Sequence, residues 1–313
     1  GRPASGAQIR AFPRERHLNL VQILTTTADK DGVFDLPGAV TGSYSVFATG
    51  VSSPPSGVQQ ATGAARPPAN TIRGYAVVAI AGASIDLKIV MSPAIAVAGR
   101  VTIEGRPPRD NDPELGKVRF SLAPDQEVAG MGSAILPIPE GDTFDVNPNG
   151  TFTRRVYTGD YRVRSVWGFA PTSYVKSIRM GSVDMLDDTL RVTGPLQDPL
   201  EITIGSDGGE LTGVVVGPRS EPISNATVAI VPEAAAQRRR IDSQRSATTD
   251  ANGRFRLQGI PPGNSKLFAW EFAPFGASEV PEFLQKYEAL GKPVLVRPNS
   301  KQEIEITAIP ARK

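Results

Sequence analysis

The 313-residue chain contains no cysteine and one histidine. The first absence removes disulfide staples, thiolate nucleophiles, iron–sulfur clusters and cysteine-ligated zinc; the second removes multi-histidine metal sites. Charge of one sign is also lacking. Thirty-four Lys and Arg stand against 32 Asp and Glu, a formal net charge of +2, which makes no electrostatic case for nucleic acid. No run reaches the roughly 18 uninterrupted apolar residues of a membrane span. The best stretch, residues 75–99, is cut by Asp86, Lys88 and Pro93 and alternates like strands. The opening Gly1-Arg2-Pro3 has neither a start methionine nor a signal peptide, and is expected to follow a removed segment. What is plentiful is glycine (31) and proline (28), and so high a share of helix breakers excludes long helices as the main architecture. At 40 % hydrophobic residues the chain is globular, with length for two or three domains.

One phrase recurs three times. Near the start it reads Thr27-Ala28-Asp29-Lys30-Asp31-Gly32-Val33-Phe34-Asp35-Leu36, followed by Gly42-Ser43-Tyr44-Ser45-Val46-Phe47-Ala48. Near the end it reads Thr249-Asp250-Ala251-Asn252-Gly253-Arg254-Phe255-Arg256-Leu257, then Gly263-Asn264-Ser265-Lys266-Leu267-Phe268-Ala269-Trp270. A degraded copy lies between, Asn147-Pro148-Asn149-Gly150-Thr151-Phe152-Thr153, then Gly159-Asp160-Tyr161-Arg162-Val163-Arg164-Ser165-Val166-Trp167. Gly32, Gly150 and Gly253 are spaced by 118 and 103 residues, each about one small β-sandwich. The Asp/Asn-x-Asn/Asp-Gly tetrad puts residues that tolerate positive φ at a turn tip, and the alternation that follows is that of a half-buried antiparallel strand.

Upstream of each hairpin lies a second shared element. It runs from Pro3-Ala4-Ser5-Gly6-Ala7 to Pro13 in the first copy and from Pro222-Ile223-Ser224-Asn225-Ala226 to Pro232 in the third. In the second it is stretched from Gly105-Arg106-Pro107-Pro108 to Pro124. A β-rich strand precedes it at residues 96–103 and 210–216, and in the first copy that strand is missing. The chain should therefore be all-β, with three tandem Greek-key β-sandwich domains at 1–93, 94–206 and 207–313, the first lacking its first strand. Residues 281–290, with Pro281 at a helix start, Phe283, Leu284, Tyr287 and Leu290 on one side and Gly291 as a stop, predict one short helix in the third domain. Residues 50–70, rich in Ser, Pro and Gly, predict a long exposed loop.

The pattern resembles the carboxypeptidase regulatory-like domain, a transthyretin-like sandwich related in shape to Ig-like modules. The resemblance is carried by Gly213-Val214-Val215-Val216, Pro222-Ile223-Ser224-Asn225-Ala226-Thr227-Val228, and Thr249-Asp250-Ala251-Asn252-Gly253-Arg254-Phe255 with Gly259-Ile260-Pro261-Pro262-Gly263. It implies tandem modules of large secreted or outer-membrane bacterial proteins, those of Acidobacteria among them. It implies no catalysis, because the zinc peptidase beside which the domain is named has no counterpart here.

The residues that could carry chemistry lead to no catalytic, cofactor or metal site. His17, in Arg14-Glu15-Arg16-His17, has no second histidine, and no Gly-x-Ser-x-Gly elbow offers it a nucleophile. Asp29/Asp31 and Asp250/Asn252 resemble the start of a calcium loop, but position twelve is Val40 in one and Pro261 in the other, where a glutamate is needed. Turn chemistry accounts for them. Asp184, Asp187 and Asp188 read as a solvated turn, and Glu104, Glu114 and Asp142 show no paired acid/base spacing. Arg238-Arg239-Arg240 and Arg245, beside Glu233 and Asp242, read as a solvated loop. Asn225-Ala226-Thr227 fits a glycosylation sequon that is expected to be silent. Trp167, Tyr174, Trp270 and Phe272 could form a sugar-stacking platform, although the equivalent placing of Trp167 and Trp270 favours core packing.

Two roles fit. One is a non-enzymatic extracellular structural or adhesive protein, such as a surface or filament subunit that self-associates or takes protein partners. The other is a carbohydrate- or peptide-binding accessory module of a larger secreted enzyme or outer-membrane transporter. The expected location is outside the cell or at its surface, periplasm and outer membrane included, with no cofactor. The missing strand exposes backbone groups beside an apolar groove. Either residues upstream of Gly1 supply it, or another subunit donates it and subunits join head to tail.

Overall fold

The computed structural model describes residues 2–13, 23–51, 71–82, 85–107, 109–124, 142–186, 188–274 and 276–310. His17 and most of the 50–70 loop lie outside them.

Three groups of strands follow one another, and pairing among the described residues never crosses from one group to the next. In the first, β1 (Gln8–Pro13), β2 (Leu24–Thr27), β3 (Gly42–Val51), β4 (Thr71–Ile80) and β5 (Ser92–Pro93) make one antiparallel sheet in the order β2-β1-β3-β4-β5. The second holds β6 (Ile95–Ile103), β7 (Arg119–Pro124), β8 (Asp142–Asp145), β9 (Thr151–Val156), β10 (Gly159–Trp167), β11 (Tyr174–Met180), β12 (Val183–Asp184), β13 (Leu190–Val192) and β14 (Leu200–Gly205). Its sheets, β13-β10-β7-β8 and β12-β11-β14-β6-β9, enclose Val97, Phe120, Phe144, Phe152, Ile178 and Ile202. The third holds β15 (Gly209–Val216), β16 (Thr227–Pro232), β17 (Arg245–Thr248), β18 (Arg254–Ile260), β19 (Gly263–Trp270), β20 (Lys292–Val296) and β21 (Lys301–Thr307). Its sheets are β18-β15-β21 and β17-β16-β19-β20, closed over Leu211, Val215, Val228, Phe255 and Leu267.

The repeated turn is built the same way each time. In the first group Asp29 N–H donates to the Val33 carbonyl (2.8 Å) and Gly32 N–H to that of Asp29 (3.1 Å). Asp250 with Arg254 and Gly253 repeats this pair at 2.9 and 3.0 Å, and Asn147 with Thr151 and Gly150 at 2.8 Å for both bonds. Each closing glycine has positive φ: 74°, 83° and 71° at Gly32, Gly150 and Gly253. The Asp29 and Asp250 carboxylates each cap two backbone N–H groups of their own turn, at 2.8–2.9 Å. Those oxygens are engaged in shaping the turn.

The first and last strands of the second and third groups lie side by side and parallel. β6 pairs with β14 over Gly99–Ile103 and Leu200–Ile204, and β15 with β21 over Glu210–Val216 and Lys301–Thr307. Between each parallel pair and its antiparallel neighbour sits a glycine with no room for a side chain. Gly99 faces Phe152 of β9 and Leu200 of β14; Gly213 faces Phe255 of β18 and Ile304 of β21. A Cβ on Gly99 would enter the Leu200 carbonyl and the Phe152 ring, and one on Gly213 the Ile304 carbonyl and the Phe255 ring.

Two expectations change. The helix is shorter than 281–290: α1 spans Pro281–Gln285, and after a turn the chain resumes as a 3-10 turn, Glu288–Leu290. In the first group the second layer is irregular chain among the described residues. Phe34, Leu36, Leu87, Ile89 and Met91 pack on the sheet core of Ile9, Tyr44 and Val46, yet none of them belongs to a strand.

Candidate functional site

Hydrogen bonds between groups gather at the junction of the second and third groups. The backbone N–H of Val175 in β11 donates to Asp242 Oδ2 at 2.7 Å. Asp242 takes a left-handed φ of 59° that aims its carboxylate across the junction, and Arg245 binds both its oxygens, at 2.8 and 3.1 Å. Arg245 also reaches the carbonyls of Asp242, Gln244 and Gln258 at 2.9–3.1 Å. Ile241 packs against the core of the second group. Gly259, at φ 63°, lies beneath the carbonyls of Pro171 and Ser173, and Gly208 beneath that of Thr172. Tyr174 is buried and donates its hydroxyl to Asp207 at 3.0 Å. Burial first, then that hydrogen bond, and then the charges of Asp207 and Glu104, push its hydroxyl well above the usual tyrosine range.

The junction of the first and second groups is lighter. Ser92 and Thr158 hydroxyls meet at 2.8 Å, the Arg155 guanidinium reaches the Ala94 carbonyl at 3.0 and 3.2 Å, and Arg73 lies 4.3 Å over the Tyr157 ring.

The arginine cluster is not a solvated loop. Arg238 is largely buried and binds the Pro232 and Glu233 carbonyls at 2.7 and 3.0 Å and Glu288 at 2.8 and 3.0 Å, while the Arg239 side chain is outside the described part. Lys266 completes the cluster on Glu288 at 2.7 Å. The hydrogen bonds from Arg238 and then Lys266 hold the Glu288 carboxyl down at about 2. These long side chains tie residues 235–239 and 288–290 to β19.

The four aromatics do not converge on a platform. Trp270 is 1 % exposed and Tyr174 6 %, whereas Trp167 is 43 % and Phe272 70 % exposed. Trp270 and Trp167 do occupy equivalent positions, on the outer face of β19 and of β10, because a bulge between Val163 and Ser165 absorbs the extra residue of β10. Trp270 is covered from outside the sheet by Phe283 and Tyr287, at 5.4 and 5.8 Å between ring centroids. Among the described residues the second group has no such cover over Trp167. Asp184 and Asp188 cap local N–H groups (2.9 and 2.7 Å), Asp187 is outside the described residues, Asn225 forms a left-handed turn (φ 57°), Glu114 pairs with Arg106 at 2.6 Å and Asp142 lies in β8. Among the described residues no group of three His, Cys, Asp or Glu could hold a metal ion, and no helix is long and apolar enough to cross a membrane.

Residues 210–284, within the third group, match the family model of the carboxypeptidase regulatory-like domain. No curated protein matches the chain by sequence. Among solved structures it is similar to the Bacillus anthracis TIE protein at 12 % identity and a TM-score of 0.23, covering 98 % of this chain and 48 % of that one. It thus spans about half that protein's length. It is also similar to a streptococcal ancillary pilin, at 12 % identity and a TM-score of 0.25 over 99 % and 94 % of the two chains. A DUF3823 family protein from Bacteroides ovatus, at 11 % identity and 0.22, covers 56 % of this chain and 89 % of its own.

Proposed function

We propose that the chain is a non-catalytic, extracellular structural element, a spacer of three domains, 1–93, 94–206 and 207–313, strung head to tail, that holds partners at a fixed separation. The parallel pairing of first and last strands carries this reading. A chain that enters a sheet on one strand and leaves on its parallel neighbour exits at the opposite end, so the next domain follows in line. β14 ends at Gly205 and β15 begins at Gly209, and the hydrogen bond of Val175 to Asp242 stiffens that short connection. A regulatory-like domain at residues 210–284 supports a role without chemistry. The alternative, a carbohydrate- or peptide-binding accessory module, rests on Trp167 and Phe272, the two of those four aromatics that are exposed, and on no enclosed platform among the described residues.

Small-angle scattering tests the spacer. The expected profile is a rod of constant cross-section whose maximum dimension shortens by a domain length when residues 207–313 are removed. A compact particle whose cross-section grows with each domain overturns it. Loss of glycan-array binding in Trp167→Ala would favour the accessory module instead.

A further inference from the structure

Among the described residues the first group lacks a particular strand, and the rest of the molecule defines it. In the third group β15 lies between β18 and β21, and in the second β6 lies between β9 and β14. The first group's counterparts of the two flanking strands are residues 33–36, which follow the repeated turn, and 85–91, which follow β4. Residues 33–36 alternate exposed and half-buried, and so do 86–91, as strands do, yet neither joins a ladder. Phe34 and Leu36 are half-buried, whereas their counterparts Phe255, Leu257 and Phe152 are 5 %, 2 % and 1 % exposed. What covers those counterparts is the strand this sheet is missing.

The chain path says where that strand comes from. Gly6 N–H bonds the Ala28 carbonyl (3.0 Å) and Ala28 N–H that of Ala7 (2.8 Å). Asn225 with Thr249 (3.2 Å) and Thr249 with Ala226 (3.0 Å) form the same pair. Gly6 and Asn225 share the left-handed conformation, at φ 70° and 57°. A Cβ on Gly32 would meet Pro3 and Ala4, as one on Gly253 would meet Pro222 and Ile223. Residues 3–7 therefore follow the route of 222–226, which leave β15 through a bridge from Val216 to Pro222. A chain arriving at Arg2 by this route comes from the open position through one tight turn, as residues 217–221 do, where Ser220 N–H bonds the Gly217 carbonyl at 3.0 Å and Gly217 N–H that of Glu221 at 2.8 Å.

We propose that the cleft between residues 33–36 and 85–91 is a strand-acceptor site for the extended segment joined directly to the N-terminal side of Gly1 in the same polypeptide. The segment runs antiparallel to 33–36 and parallel to 85–91, as a central strand. Its chemistry follows from Val97-x-Gly99-x-Val101 and Leu211-x-Gly213-x-Val215. It has an aliphatic residue, one of any kind, a glycine against Phe34, one of any kind, and a second aliphatic. The residue two beyond the glycine donates to the Gly32 carbonyl and accepts from Ala4 N–H, as Val215 does with Gly253 and Ile223 at 2.8 and 2.9 Å.

The test appends a copy of residues 209–219 ahead of Gly1, which reproduces the spacing of the third group, and reads amide hydrogen exchange. Protection of 33–36 and 85–91 is expected to rise by ~10-fold or more, and to stay at the starting level when the glycine copied from Gly213 is made leucine. Unchanged protection in the extended chain overturns the proposal. So does a concentration-dependent oligomer of the 313-residue chain in which these amides are already protected, because a second copy would then be the occupant. Completion of this sheet does not depend on the spacer role, and scattering from the unextended chain tests that role separately.

Discussion

Asp242 of the third group accepts the backbone N–H of Val175 of the second at 2.7 Å, across 67 residues of sequence. The contact joins a main-chain donor to a carboxylate whose two oxygens Arg245 also binds, which fixes the orientation of the acceptor. Truncation to Asp242→Ala takes the counter-charge from a guanidinium that keeps only its carbonyl acceptors and leaves the Val175 N–H without its acceptor, a loss of about 2 kcal/mol. It should loosen the junction and leave each core intact. Residual dipolar couplings that no longer fit one alignment tensor for the two groups, with unchanged chemical shifts in β15–β21, would show this. Asp242→Asn keeps an acceptor and should lie between.

Glu288 makes stability depend on acid. Its carboxyl is held at about 2, against 4.5 ordinarily, so the folded chain binds this proton less readily than the unfolded one. The contribution is complete above about pH 4.5 and is lost as pH falls toward 2. With the side chain 38 % exposed, screening limits it to about 1 kcal/mol. Thermal melts from pH 7 to 2 should show a steeper acid limb for the native chain than for Glu288→Gln, the two curves meeting at the acid end.

The glycines opposite phenylalanines should be intolerant. Gly99→Ala or Gly213→Ala drives a methyl into a backbone carbonyl and should cost about 3 kcal/mol, because neither the carbonyl nor the core phenylalanine can retreat. Gly194→Ala, with open space around it, is the control and should change a chemical-denaturation midpoint little.

The two tryptophans should part company. Trp270→Ala should cost about 3–5 kcal/mol through the cavity it leaves. Trp270→Phe should cost far less, since the buried indole Nε1 has no hydrogen-bond partner among the described residues. Trp167→Ala, on an uncovered face, should stay within about 0.5 kcal/mol. Urea unfolding of the four chains decides it.

Local features were legible and distant ones were not. The Asp-x-Asn-Gly turn announces itself because its bonds close within four residues, as at Asp250 and Arg254. The equivalence of Trp167 and Trp270 was readable from strand spacing. Their opposite exposure was not, because the cover over Trp270 comes from Phe283 and Tyr287 on a different element. Residues 33–36 carry a strand's alternation without a ladder, since alternation is a property of one chain and pairing requires two. Arg238 and Arg245 read as solvated because charge along the chain does not reveal that Glu288 and Asp242 will meet them.

The parallel pairs also determine how the chain bears load. Tension applied at the two ends pulls β15 and β21 past each other along their length, so all seven registered positions from Glu210–Val216 to Lys301–Thr307 resist together in shear. None is peeled singly. β6 and β14 share force over five such positions. In the first group residues 85–91 have no parallel neighbour among the described residues, and there the pull meets the sheet edge at Ile72–Pro93 and Arg73–Ser92, a two-rung ladder. Among the described ladders at the ends of the three groups, that one has the fewest rungs to share a pull.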